Sequence, residues 1–171
     1  MPWRYHSFPH GDNGEMGSTV TEQHVTHVLV VDDDRSIRET LRVVLQEEGY
    51  TVSEAEDGQV ALKILRASKE PMVVLLDLRM PVLDGAGVLA FVAEDQRLST
   101  LHAFLLITAN PITEKLQRLL KQLQVPVIPK PFDLDRLIDI VADTAYRKSA
   151  SLPHTWTDTL PRHHAARSTN S

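Results

Sequence analysis

Cysteine is absent from the 171-residue chain. A disulfide scaffold, a thiol nucleophile and thiolate metal sites are therefore excluded. An excess of positive charge is also missing. The formal net charge is −5, whereas a protein that wraps nucleic acid usually carries a basic stripe. No apolar run approaches the ~18 residues that a membrane span requires. The N-terminus lacks a basic patch followed by an apolar run, so no signal peptide is read there. These absences leave a cytoplasmic protein that inserts in no membrane and binds no nucleic acid as the expectation. No internal repeat and no second domain are visible, and the length suits one domain with a sizeable core.

What is present is unevenly spread. Residues 1–24 hold Pro2, Pro9, Gly11, Gly14 and Gly17 among many polar residues. Residues 149–171 resemble them, with Ser149, Ser151, Pro153, Pro161 and Ser168. Neither end has the apolar periodicity of a helix or strand, so both are expected to be disordered tails. Their histidines, among them His6, His10, His163 and His164, are not read as a metal site. The segment 25–148 carries the domain. Its 15 basic against 19 acidic residues keep it acidic and argue again against nucleic acid.

Within that segment, apolar runs alternate with amphipathic stretches. The runs are Val28–Val31, Val73–Leu76, Phe104–Ile107 and Val125–Ile128, with a weaker strand at Tyr50–Ala55. A continuous apolar run suits a strand covered on both faces. Between the runs, Ile37, Leu41, Val44 and Leu45 recur at helical spacing, and so, more loosely, do Val60, Leu62, Ile64 and Leu65. Further helices are expected around Val88, Leu89 and Val92, over Ile112–Leu123, and over Leu134–Ala145. Gly49 reads as a helix C-cap. Asp34, Asp57 and Asp133 read as N-caps. Five strands alternating with five helices predict an α/β fold: a parallel sheet with helices on both faces.

In open α/β sheets the site lies beyond the carboxyl ends of the strands. Strand one runs into Asp32-Asp33-Asp34, strand three into Asp77, strand four into Thr108 and strand five into Lys130-Pro131. If these strands are neighbours, Asp32, Asp33, Asp77, Thr108 and Lys130 converge on one pocket. Ionised carboxylates crowded in a cleft repel, and a divalent cation would compensate them. Oxygen-only ligands suit Mg²⁺ or Mn²⁺. An anion held between that cation, Lys130 and Thr108 would be neutralised from several directions. Asp77 stands alone at the end of the central run and is the candidate nucleophile, with Asp32 and Asp33 as metal ligands. Taken singly, each residue reads more readily as a turn or cap residue. The ordered set is what argues for a site.

The set resembles the receiver domain of two-component response regulators. The segments that carry the resemblance are His27-Val-Leu-Val-Val-Asp-Asp-Asp34, Val73-Val-Leu-Leu-Asp-Leu-Arg-Met-Pro-Val-Leu-Asp-Gly85, Leu105-Leu-Ile-Thr-Ala109 and Pro129-Lys-Pro-Phe132. The resemblance implies a flavodoxin-like five-stranded parallel sheet in the order 2-1-3-4-5. It implies that a sensor histidine kinase or a histidine phosphotransfer protein donates a phosphoryl group to Asp77, and that the domain catalyses its own phosphorylation and slow dephosphorylation. It implies Mg²⁺ held by Asp33, Asp77 and the backbone carbonyl of Arg79, with Asp32 acting through water, and phosphoryl oxygens held by Thr108 and Lys130. It implies a Lys130–Pro131 bond that is often cis, and a loop after Asp77 shaped by Pro81 and Gly85.

Departures from that pattern are informative. Val127 stands where relatives carry an aromatic ring that moves on activation, and Leu123-Gln124 stand where relatives tend to have Gly-Ala. Pro126 and Pro129 restrict the fifth strand to an edge or to rigid ends. Arg79 is expected at the pocket mouth, where it would modulate attack by water on the Asp77 phosphate. The 23 residues after Lys148 are too few for an output domain, so signalling through a downstream protein partner is expected. The fourth and fifth predicted helices offer surfaces for a homodimer. The alternative is a receiver-like module that binds partners without being phosphorylated. A haloacid-dehalogenase-type phosphatase would need a carboxylate at position 79, where Arg79 stands, and a dinucleotide enzyme would need glycines where Asp32-Asp33-Asp34 stand.

Overall fold

The structure, a computed structural model, describes residues 25–152. The two expected tails otherwise lie outside the described residues. Strands β1 (His27–Val31), β2 (Thr51–Ala55), β3 (Val73–Asp77), β4 (Ala103–Thr108) and β5 (Val127–Pro129) form one sheet in the order β2-β1-β3-β4-β5. Every pairing is parallel. Crossing helices therefore bury both faces of the three middle strands, and β3 is buried at all five positions.

Strand periodicity divides the core in two. Leu29, Val31, Val74, Leu76, Phe104 and Leu106 face one way and pack with α2 (Gly58–Ala67), α3 (Gly85–Glu94), α4 (Gln96–Leu101) and α5 (Glu114–Leu123). Val28, Val30, Val73, Leu75, Leu105 and Ile107 face the other way, against α1 (Arg35–Glu47) and α6 (Leu134–Ser151). Each leucine removed from water on either face contributes about 1.5–3 kcal/mol.

Local chemistry sets the helix ends. Asp34 accepts from Ser36 N, Asp57 from Gln59 and Val60 N, and Asp133 from Arg136 N, so all three expected N-caps form. Gly49 follows α1 with φ +89°, in the left-handed region that favours glycine.

Among the described residues six helices form, one more than the five expected. Asp95 ends α3 and caps α4, its side chain accepting from the backbone N–H of Arg97 and Leu98. Six residues are too few to show a helical period in sequence. The extra helix is held instead by burial of Leu98 and Leu101 and by the Arg97 guanidinium, which donates to the carbonyls of Arg66 and Ser68 at the end of α2. At the other end of the chain, α6 runs to Ser151, three residues past the expected boundary at Lys148. Ser149 Oγ accepts from Val25 N at 2.8 Å and ties this last turn to the start of β1. The fifth strand is shorter than its apolar run suggests. It lies at the sheet edge, bounded by Pro126 and ending on Pro129, and only Ile128 of its three residues is buried.

His102, at the entry to β4, is 2% exposed. Its Nε2 lies 3.2 Å from the carbonyl oxygen of Leu65, while Nδ1 has no partner. Burial pushes its pKa from 6.5 down to about 4. The unfolded chain therefore binds more protons than the folded one between those values, and stability falls as pH drops from about 6.5 toward 4. The expected contribution is about 3 kcal/mol across that window. Urea midpoints measured from pH 7 to 4 should show it, and His102→Leu should flatten the slope. An unchanged slope in that variant would place the acid sensitivity elsewhere.

Candidate functional site

The carboxyl ends of β1, β3, β4 and β5 lie along one edge of the sheet. In-register pairing sets Val31 beside Leu76, Asp77 beside Ile107 and Thr108 beside Pro129. The next residues of β1 and β5 are Asp32 and Lys130. Asp32 and Asp77 are buried, at 4% and 7% exposure. Lys130 joins them: its Nζ lies 2.8 Å from Asp32 Oδ2 and 2.8 Å from Asp77 Oδ1. The Lys130 backbone N–H donates to Thr108 O at 2.8 Å, and the Lys130–Pro131 peptide is cis.

The remaining carboxylate oxygens are bonded to the backbone. Arg79 N donates to Asp77 Oδ2 at 2.8 Å, and Asp34 N donates to Asp32 Oδ1 at 2.8 Å. Burial pushes the Asp77 carboxyl above its usual range. Asp32 adds to that, and Lys130 and the Arg79 N–H oppose it. Burial also works against the charge on Lys130, but its bonds to the two carboxylates outweigh it and hold the ammonium above its usual value. Asp77 is thus a carboxylate short of solvation, beside a firmly charged cation.

The other expected site residues are placed differently. Asp33 is exposed next to this pair. Thr108 is buried at 4%, but its hydroxyl is engaged locally, accepting from Asn110 N at 2.9 Å. Arg79 has an exposed side chain. Among the described residues no three acidic or histidine side chains gather as a preformed metal cage. The donor set nevertheless suits a hard cation. Two buried carboxylates already share one positive centre, and every candidate ligand is an oxygen.

The site has two supports, the first of which was not legible in sequence. Arg38, on α1, donates through Nη1 to Asp32 O at 2.7 Å and Asp33 O at 3.2 Å, bracing the turn that presents both carboxylates. An arginine a few residues after an acidic cluster reads as an ion-pair partner, and its bonding to backbone carbonyls follows only from the turn's shape. The second support is the loop after Asp77. Gly85 N donates to Leu78 O at 3.0 Å, and a Cβ on Gly85 would strike the Asp77 carbonyl oxygen. Gly58 N donates to Leu83 O at 3.0 Å, where a Cβ would come within 2.5 Å of that oxygen. At the loop tip Leu83 N donates to Pro81 O at 2.8 Å, a γ-turn centred on Val82 at φ +67°. For a β-branched residue that conformation costs roughly 1–2 kcal/mol.

A family model described as the response regulator receiver domain matches residues 28–142. Response regulator MprA of Mycolicibacterium vanbaalenii is 39% identical over 114 residues, which are 65% of this chain and 46% of that protein. The DNA-binding transcriptional regulator NtrC of Escherichia coli is 36% identical over 114 residues, 67% of this chain and 24% of that protein. The chain thus spans less than half the length of these curated relatives. The crystal structure of a CheY-like response regulator receiver domain protein from Methanospirillum hungatei superposes with a TM-score of 0.65 at 27% identity, covering 72% of this chain and 97% of that one.

Proposed function

This chain belongs to the response regulator receiver family, and we propose that it accepts a phosphoryl group from a phosphohistidine onto Asp77. The donor is a sensor histidine kinase or a histidine phosphotransfer protein. The observation that carries the reading is the single ammonium, Lys130 Nζ, at 2.8 Å from both Asp32 and Asp77. In this reading an Asp77 carboxylate oxygen attacks phosphorus, a P–O bond forms, the P–N bond breaks, and the leaving imidazole takes up a proton. Lys130 turns from Asp77 to a phosphoryl oxygen and keeps its bond to Asp32. Thr108 gives up its local bond to Asn110 and donates to another phosphoryl oxygen. The Arg79 backbone N–H holds the second Asp77 oxygen and so aims the first. Mg²⁺, held by Asp33, Asp77 and the Arg79 carbonyl with Asp32 acting through water, would neutralise the negative charge that collects there. The acyl phosphate later yields to water, and the domain supplies that chemistry itself.

The signal passes on through protein contacts in the cytoplasm, with the surface of α5, β5 and α6 offered to a downstream partner or to a second copy. Among the described residues no helix is long and apolar enough to cross a membrane. Val127, 37% exposed on β5, has no ring to swing between states. That observation favours a second reading, a module that binds partners without taking phosphate. Incubation with Mg²⁺ and phosphoramidate separates the two. A gain of one phosphoryl mass that disappears with a chelator supports transfer, and an unchanged mass supports the second reading.

Arg79 enters as a modulator of phosphate lifetime. An exposed guanidinium beside the acyl phosphate attracts its oxygens weakly and shields the approach of water. At about 0.7 kcal/mol for an exposed ion pair, Arg79→Ala is expected to speed dephosphorylation about threefold. The decay of phosphorylated protein after donor removal measures it, and an unchanged decay would remove Arg79 from the mechanism.

A further inference from the structure

Val82 breaks two rules at once. It is 71% exposed, the most exposed large apolar side chain among the described residues, and it takes the left-handed conformation at φ +67° although it is β-branched. The other described non-glycine residue with positive φ, Gln124, closes the end of α5, so its conformation is explained by the cap. The turn does not explain valine at 82, because glycine or asparagine would serve it with less strain. Burial does not explain it either, because the side chain faces water. A local rule broken without compensation inside the molecule points to a role outside it.

The position is also firmly held. Leu83 N bonds Pro81 O across Val82, Leu83 O is tied to Gly58 N at the start of α2, and Gly85 N is tied to Leu78 O. A rigid apolar tip loses little entropy on docking. This loop starts at the residue after Asp77, and its far end, Gly85, is packed against the Asp77 carbonyl. A donor must bring phosphorus within about 3–3.5 Å of the attacking oxygen. A protein that does so covers the loop, whereas a small phosphodonor need not touch its tip.

We propose that Val82 is a specificity-determining contact for the protein that delivers the phosphoryl group, seated against an apolar surface beside the donor's phosphohistidine. This inference rests on the reading of Asp77 as acceptor, and the experiment keeps the two apart. Wild type, Val82→Asn and Val82→Ile are each phosphorylated by two donors with Mg²⁺ present. One donor is phosphoramidate. The other is whichever autophosphorylated histidine kinase, from a purified panel, transfers fastest to wild type. The expected result is a loss of about tenfold or more in kinase transfer for Val82→Asn, little change for Val82→Ile, and equal rates for all three with phosphoramidate. Val82→Asn should melt at or above the wild-type temperature, because strain is relieved. Equal kinase transfer in Val82→Asn overturns the inference, and if that variant also loses self-association on gel filtration, Val82 belongs to a contact between copies. Equal losses with both donors overturn it too, by assigning Val82 to the shape of the acceptor loop. Wild type that takes phosphate from phosphoramidate but from no kinase in the panel defeats the donor contact alone. Wild type that takes it from neither defeats the acceptor reading itself.

Discussion

Asp77→Asn is expected to gain no phosphoryl mass with Mg²⁺ and phosphoramidate, while unfolding at a urea concentration close to that of wild type. The amide keeps the shape of the carboxylate and can still accept from Arg79 N, whose bond to Asp77 Oδ2 is 2.8 Å. It has no anionic oxygen to attack phosphorus, so the loss of uptake is complete rather than graded. The effect on stability is small because two changes oppose each other. Lys130 loses one of its two anionic partners but keeps Asp32 at 2.8 Å. Removing the charge at 77 also removes a desolvation cost, the same cost that lifts the Asp77 carboxyl above its usual range. A net change within about 1 kcal/mol follows. Intact-protein mass spectrometry and urea titration on the same preparation test both halves. Uptake that persists in the variant would move the acceptor to another residue.

Lys130→Ala should damage both the fold and the chemistry. Without the ammonium, Asp32 and Asp77 stand as buried carboxylates with no cation between them. Breaking a buried pair by removing one partner costs about 3–5 kcal/mol. Here the lysine side chain is 20% exposed at the end of the sheet, so screening reduces the expected loss to about 2 kcal/mol in a chelating buffer. Mg²⁺ should restore much of it, because an ion that binds the folded state stabilises it by mass action. Uptake of phosphate should fall about 100- to 1000-fold even with Mg²⁺, since a charged donor to the transferring oxygens is gone. Urea midpoints with and without Mg²⁺, together with phosphorylation rates, test this. A variant with the same midpoint in both buffers would show that the acidic pair needs no cation, and the proposed site would fall with it.

Some features were legible in the sequence because their causes are local. Asp34, Asp57 and Asp133 reach backbone N–H groups two or three residues ahead, so residue type and position were enough. The apolar runs at 28–31, 73–76 and 104–107 became the three covered strands, since a strand buried on both faces needs apolar residues at every position. The run at 125–128 said less. Edge position leaves one side of β5 unpaired, and Val127 is exposed there. Helix α4 was invisible because its six residues are held by Leu98, Leu101 and an arginine reaching across to α2. The left-handed turn at Val82 carried no signal, since no glycine or asparagine marks it.

The candidate site divides along the same line. Composition and order along the chain determined that acidic, hydroxyl and ammonium groups sit at strand ends, because each follows its apolar run directly or, for Lys130, after one proline. Which of them meet was decided only by the sheet. Parallel pairing in the order β2-β1-β3-β4-β5 puts Asp32 and Asp77 on adjacent strands and lets Lys130 reach both from the far side of β4. The same packing left Asp33 outside the pair, while a local bond engages the Thr108 hydroxyl with Asn110 N. Contact between residues 53 and 98 positions apart depends on register and burial, and neither is written in the residues nearby.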